Sequence, residues 1–212
     1  MRFPIITFFI ALSCIFNVSI AQQSFKFAHV TDTHVGGATG AEDLRRTVKD
    51  LNTVKDIDFV ILSGDITEFG ADHELKLAKR ILDSLQLPWY VIPGNHDGNW
   101  SENGANTFRT VFGGETFFFK HKGYAFMGTN SGPNMRMSPG QIPRENLVWM
   151  DAVFAANPDK QLPLIYINHY PQDSSLNNWF DALKGLKHGM FNWQFVGTGI
   201  SINYTIGKEF LV

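Results

Sequence analysis

The chain has 212 residues, 44% of them hydrophobic and 18% charged, with one cysteine and a formal net charge of −2. That length suits one globular domain. The charge balance excludes the basic face of a nucleic-acid binder, and one cysteine excludes a disulfide framework or a multi-cysteine zinc site.

Residues 1–21 read MRFPIITFFIALSCIFNVSIA. A single cation, Arg2, precedes a long apolar stretch that closes on small residues, the layout of a secretory signal peptide cleaved after Ala21. A retained anchor is the competing reading, since Phe3 to Ile20 nearly spans a bilayer. A lipid-modified Cys14 is a weaker third. Cleavage removes the only cysteine and one of the 18 basic residues, leaving a net charge of −3 against 20 acidic residues. The expected location is secreted or periplasmic, with no stable membrane association after cleavage.

Beyond the leader, strands and helices alternate. Phe25 to Val30 reads as a half-buried strand, and 41–54 as a helix with Leu44, Val48 and Leu51 at helical spacing. Asp58 to Leu62 is a second strand. Asp72 to Leu85 is a strongly amphipathic helix stopped before Pro88, and Trp89 to Ile92 a third strand. Thr116 to His121 and Tyr124 to Asn130 flank Lys122-Gly123 as a β-hairpin. A loop at 131–143 precedes a helix at 144–156, a strand at Leu164 to Asn168 and a helix at 175–187. Alternating βα units followed by a hairpin predict a layered α/β domain. His29 reads as structural, His73 and His121 as solvated, and Trp149, Met150, Phe154, Trp179 and Leu183 as core. Arg136, in the 131–143 loop, has the guanidinium geometry to meet a phosphate.

Polar clusters fall at the ends of four strands: Asp32-Thr33-His34, Gly64-Asp65, Gly94-Asn95-His96-Asp97 and Asn168-His169. An α/β sheet places its ligand site at that edge. One cluster alone is ordinary turn chemistry. Together they supply the mixed oxygen and nitrogen donors that suit Zn, Mn, Fe or Ni. A carboxylate such as Asp65 can bridge two ions, and two ions about 3.5–4 Å apart generate a hydroxide and hold a phosphoryl group for in-line displacement.

These four motifs, in order and spacing over residues 25 to about 187, resemble the calcineurin-like metallophosphoesterase superfamily, with Gly-Asn-His-Asp the most specific element. The resemblance implies a four-layer αββα sandwich and a dinuclear centre of two divalent metal ions. Asp32 and His34 would bind the first ion, Asp65 would bridge, and Asn95 and His169 would bind the second. Asn95 and His96 would meet the substrate phosphate, His96 would protonate the leaving alkoxide, and Asp97 would act from behind the ligands. Glu68 stands where purple acid phosphatases carry a ligand tyrosine, which argues against that subgroup.

The family's closing Gly-His-x-His is missing from the C-terminal segment. Reading each triplet from the third base of the codons for 190–200 permits Val-Gln-Leu-Ala-Ile-Cys-Gly-His-Gly-His. The Met190–Phe191, Asn192–Trp193 and Trp193–Gln194 junctions force Val, Leu and Ala. The expectation is therefore a domain over 22–187, incomplete and C-terminally truncated, followed by an out-of-frame tail at 188–212; a divergent pair of strands is the plainer reading of that tail.

The expected function is metal-dependent hydrolysis of a phosphorylated small molecule, mono- or diester, impaired in these 212 residues. A catalytically degenerate, secreted ligand-binding relative is the alternative. An unrelated aromatic-rich binding module is a third, opposed by the four ordered motifs.

Overall fold

The computed structural model describes residues 24–99, 101, 104–132, 139–157 and 163–170, and the backbone of 192–195. The first half builds a parallel sheet. β1 (Phe27–Val30), β2 (Phe59–Leu62) and β3 (Trp89–Val91) lie in that order, joined by α1 (Gly40–Leu51) and α2 (Asp72–Leu82). Val30 pairs with Leu62 and Leu62 with Val91, so the three strands end level and their exit loops emerge side by side. Two short helices follow, α3 (His96–Asn99) and α4 (Asn106–Phe112). The second sheet runs β4 (Phe117–His121), β5 (Tyr124–Gly128), β6 (Leu164–Ile167) and β7 (Asn192–Phe195), with α5 (Arg144–Ala156) between β5 and β6. β4 and β5 form the predicted hairpin; β6 and β7 are added in parallel.

Side-chain alternation along each strand sorts the apolar residues into three clusters. Val60, Leu62 and Val91 join Leu44 and Val48 of α1, Leu75, Ala78 and Leu82 of α2 and Phe108 of α4. Phe27, Phe59, Ile61, Tyr90 and Ile92 point the other way, meeting Phe117, Phe119, Phe126, Ile165 and Ile167 of the second sheet. Ala125, Met127, Leu164 and Tyr166 then pack against Leu147, Met150 and Phe154 of α5. Phe25, Phe27, Phe59, Phe117, Phe119 and Phe126 gather in the middle cluster. Phe119 stacks on Tyr90 at 3.9 Å and on Phe126 at 4.8 Å between ring centroids. Such pairs add about 0.5–1.5 kcal/mol beyond their burial.

The predicted elements that fall on described residues are present, with trimmed ends. α1 stops at Leu51 and α2 at Leu82 because Asn52 ties the exits together: its side-chain amide donates to the Ser84 carbonyl and its oxygen accepts from Gln86 N–H, both at 2.9 Å. α3 and α4 went unpredicted, being too short to show an amphipathic repeat. Lys122 and Gly123 both have positive φ, 45° and 84°, the backbone of a type I′ hairpin turn. His73 is exposed as expected, but His121 is not simply solvated: its ring packs edge-on against Phe25 and Phe59, and its Nε2 lies 3.6 Å from Asp58. Met150 is buried and Trp149 and Phe154 pack beside it. Arg136, Trp179, Leu183, the 175–187 helix and the leader lie outside the described residues. Among the described residues no helix is long and apolar enough to cross a membrane.

Candidate metal centre

The site grows from the level ends of the parallel strands. Past β1 and β2 the two exit loops stay zipped together: Asp32 N–H donates to Gly64 O at 3.0 Å, His34 N–H to Asp65 O at 3.1 Å, and Val35 N–H to Ile66 O at 2.9 Å. Thr33 Oγ1 donates to Ile66 O at 2.8 Å. Asp32, His34 and Asp65 are held at φ 54°, 44° and 49°. Side-chain-bearing residues rarely adopt this region, at a cost of about 1–3 kcal/mol each, and such strain collects at functional sites. The motif glycines answer a close approach. A Cβ on Gly64 would fall 2.7 Å from Gly94 N and from His169 Nδ1, and one on Gly94 would strike the Asp65 side chain and amide.

Asp97 locks this arrangement from beneath. Its buried carboxylate accepts from Ile66 N–H (3.1 Å), Thr67 N–H (2.9 Å), Thr67 Oγ1 (2.8 Å) and Gly94 N–H (2.8 Å). Burial, joined by the nearby Asp65 charge, pushes its carboxyl up to about 6 against the pull of those donors.

Above it, Asp65 Oδ1 accepts the His96 N–H at 2.9 Å and Oδ2 lies 3.3 Å from His169 Nε2. Burial alone would raise the Asp65 carboxyl, but the His169 hydrogen bond and charge, with the His96 N–H, outweigh it and hold it below its ordinary value. For His169 burial favours the neutral ring, and Asp65 and Asp32 overcome it to raise the imidazole. His169 Nδ1 donates to Ser63 O at 2.9 Å, so Nε2 is the nitrogen presented to Asp65. Burial raises the Asp32 carboxyl, offset in part by the Thr31 hydroxyl at 2.5 Å. On the outer side, His34 Nε2 lies 3.8 Å from Asp32 and His34 Nδ1 3.0 Å from Glu68 Oε2. A cavity of about 370 Å³ opens beside these groups, lined also by Thr39, Asp43 and Thr47.

Donor atoms of Asp32, His34 and Asp65 lie within 4.8 Å of one another, as do those of His34, Glu68 and His96. The mixture of carboxylate oxygen and imidazole nitrogen fits a borderline divalent ion. A model of the calcineurin-like phosphoesterase family matches residues 25–191.

The chain belongs to the calcineurin-like phosphoesterase family.

Among curated relatives, a probable glycerophosphodiester phosphodiesterase GpdQ from Arcobacter nitrofigilis is 33% identical over 124 residues, covering 54% of this chain and 42% of the relative. A glycerophosphodiester phosphodiesterase GpdQ from Enterobacter lignolyticus is 35% identical over 79 residues, 33% of this chain and 28% of that one. The chain thus spans less than half the length of these relatives. A probable cyclic nucleotide phosphodiesterase from Ruthia magnifica is 24% identical over 169 residues, covering 76% of this chain and 68% of the relative.

In this family member the sequence-predicted residues Asp32, His34 and Asp65 converge, His96 joins them through His34 and Asp65, and His169 through Asp65. Asn95 is buried between Gly94 and His96, which both abut Asp65. His29 is structural in geometry: its ring bonds Ser63 Oγ at 2.7 Å, and burial drives its pKa down to about 4. The residues that hold the His169 loop were not found from sequence. Ser131 Oγ accepts the His169 and Tyr170 N–H groups, both at 3.0 Å. Its loop is pinned by Asn130 and Asn146, whose side-chain amides donate to buried Glu115, itself forked by Arg109. Ser131 directly follows a predicted strand, the same signal that exposed the other motifs, but it carries no metal-binding group.

Proposed function

We propose that the protein is a metal-dependent phosphodiesterase acting on a small phosphodiester, built as a four-layer αββα sandwich. The convergence of Asp32, His34 and Asp65, three donors in strained backbone, carries the reading; the activities named for the relatives favour diesters over monoesters. Asp32, His34 and Asp65 would hold one divalent ion, and Asp65, Asn95 and His169 a second. Such ions, when bound, lower the pKa of water and polarise phosphoryl oxygens.

The chain's own groups do the rest. Asp65 stays ionised through its His169 and His96 contacts, ready to be shared. His169 is locked in the tautomer that offers Nε2. His96 holds its Nδ1 against the Glu68 carbonyl at 2.7 Å, which turns Nε2 into the nitrogen that receives the phosphoryl group or protonates the departing alkoxide.

The N-terminal segment acts as a secretory leader in this reading, placing the domain outside the cytoplasm, and residues from about 188 are out of frame. The Leu-Ala-Ile of the alternative frame falls on 192–195, the stretch that pairs with β6. Turnover by these 212 residues is accordingly lower than in a frame-restored protein. The gene sequence one frame back must encode Gly-His-Gly-His, or that part of the reading is wrong.

The activity test is hydrolysis of bis(p-nitrophenyl) phosphate and p-nitrophenyl phosphate with added Mn²⁺ or Zn²⁺, alongside metal analysis. The expected result is metal-dependent diester cleavage, faster in the frame-restored protein and abolished by Asp65→Asn. Bound ions without turnover in the frame-restored protein would make this a ligand-binding relative. Neither ions nor turnover refutes the site.

A further inference from the structure

Glu68 reaches both half-buried imidazoles of the site. Its backbone is fixed by the Glu68 N–H to Val35 O bond at 3.0 Å and by the neighbouring Val35–Thr67 bridge. From that anchor its carbonyl oxygen meets His96 Nδ1 at 2.7 Å and its carboxylate meets His34 Nδ1 at 3.0 Å. The two rings stand edge to face with centroids 4.8 Å apart, so one residue sits behind a pair of touching imidazoles.

The contacts fix where protons go. Carbonyl and carboxylate oxygens of this kind only accept hydrogen bonds. His34 Nδ1 is sealed from water, and the oblique approach of Glu68 stops short of a full hydrogen bond, so the carboxylate charge is its main partner. The opposite nitrogen, Nε2, is the one facing Asp32 at 3.8 Å. Glu68 Oε2 therefore lies on the edge of the His34 ring away from Asp32, the place from which a carboxylate orients a ligand and raises its basicity.

We propose that Glu68 is the positioning residue of this centre: its carboxylate keeps the His34 proton on Nδ1, its carbonyl keeps the His96 proton on Nδ1, and both rings thereby present Nε2. The role rests on the reading of the site given above and extends it. It assigns one residue to both halves of the chemistry, ion capture through His34 and proton delivery through His96. The two contacts are separable, because substitution of the side chain leaves the carbonyl in place.

Long-range ¹⁵N–¹H correlation spectra of the metal-free chain read each tautomer directly. Wild type should show both His34 and His96 protonated on Nδ1. In Glu68→Ala, His34 should shift toward the Nε2-protonated form while His96 stays as it was. Titration with Mn²⁺ should then give affinity about 10–100-fold weaker in Glu68→Ala, with Glu68→Gln, which keeps an oxygen in place but removes the charge, recovering only a small part of it. A wild-type His34 carrying its proton on Nε2 overturns the proposal without any variant. So does a folded Glu68→Ala with wild-type Mn²⁺ affinity. A wild-type chain with the stated tautomers that binds no Mn²⁺ refutes the metal-centre reading and, with it, the ion-capture half of the role, and leaves the tautomers to stand as measured.

Discussion

Removing the Asp97 carboxylate tests how the ligand loops are held. Asp97→Ala leaves three backbone N–H groups and the Thr67 hydroxyl, all buried, without their acceptor. An unsatisfied buried donor costs about 1–3 kcal/mol. Collapse and water entry recover part of the sum, so the net loss should be about 3–5 kcal/mol, the range for breaking a buried charged network. Wild type carries an opposing cost. With a carboxyl at about 6 in the folded chain against 3.8 for an unperturbed group, its ionised form at neutral pH costs about 3 kcal/mol. Because the folded value is the higher one, the native state binds the extra proton between those pH values, and this group's contribution falls as pH rises. The gap between wild type and Asp97→Ala should therefore widen by about 1 kcal/mol from pH 7 to pH 5. Urea unfolding in chelator at both pH values measures it. A loss under about 1 kcal/mol at pH 7, or a gap that narrows on acidification, refutes the reasoning.

Three further outcomes follow from the same geometry. Phe126→Ala empties the centre of the inter-sheet cluster and should cost about 3–5 kcal/mol, read as a shifted urea midpoint; a cost near zero would mean that the sheets are not packed through that ring. Gly94→Ala drives a methyl into the Asp65 side chain and amide and should abolish Mn²⁺ binding by isothermal calorimetry, whereas retained affinity would show that the loops can move apart. Mn²⁺ at about 100 times its dissociation constant should raise stability by about 2.7 kcal/mol per site, as expected for a ligand that binds only the native form; an unmoved thermal midpoint with EDTA and with Mn²⁺ counts against a folded-state centre.

Much of this was legible in the sequence because it is periodic or local. Alternation in Phe25 to Val30, the apolar run Phe59 to Leu62 and the helical repeat of Leu75, Ala78 and Leu82 depend on neighbours a few residues away. Lys122-Gly123 announced its hairpin through turn chemistry, and the candidate ligands stood out because each polar group ended an apolar strand. What stayed hidden depends on partners remote in the chain. His169 is locked by the Ser63 carbonyl, 106 residues away, and a carbonyl has no sequence signature. His121 lies in a polar stretch yet packs on Phe25 and Phe59, because the first strand's lead-in comes alongside the hairpin. Glu68 drew notice only for what it replaces; its contacts with two histidines needed coordinates.

The donors straddle a seam. Asp32, His34, Asp65 and Asn95 hang from the first sheet, while His169 hangs from the second and reaches across to Ser63 and Asp65. A nascent chain that has finished only its first three strands owns Asp32, His34 and Asp65 but lacks the ring that crosses. An ion arriving then would meet a cup walled on one side only. The second sheet, docking through its layer of phenylalanines, closes that cup from the far side. The proposed second ion site therefore needs both sheets, and a metal ion held there would report that the two halves have met.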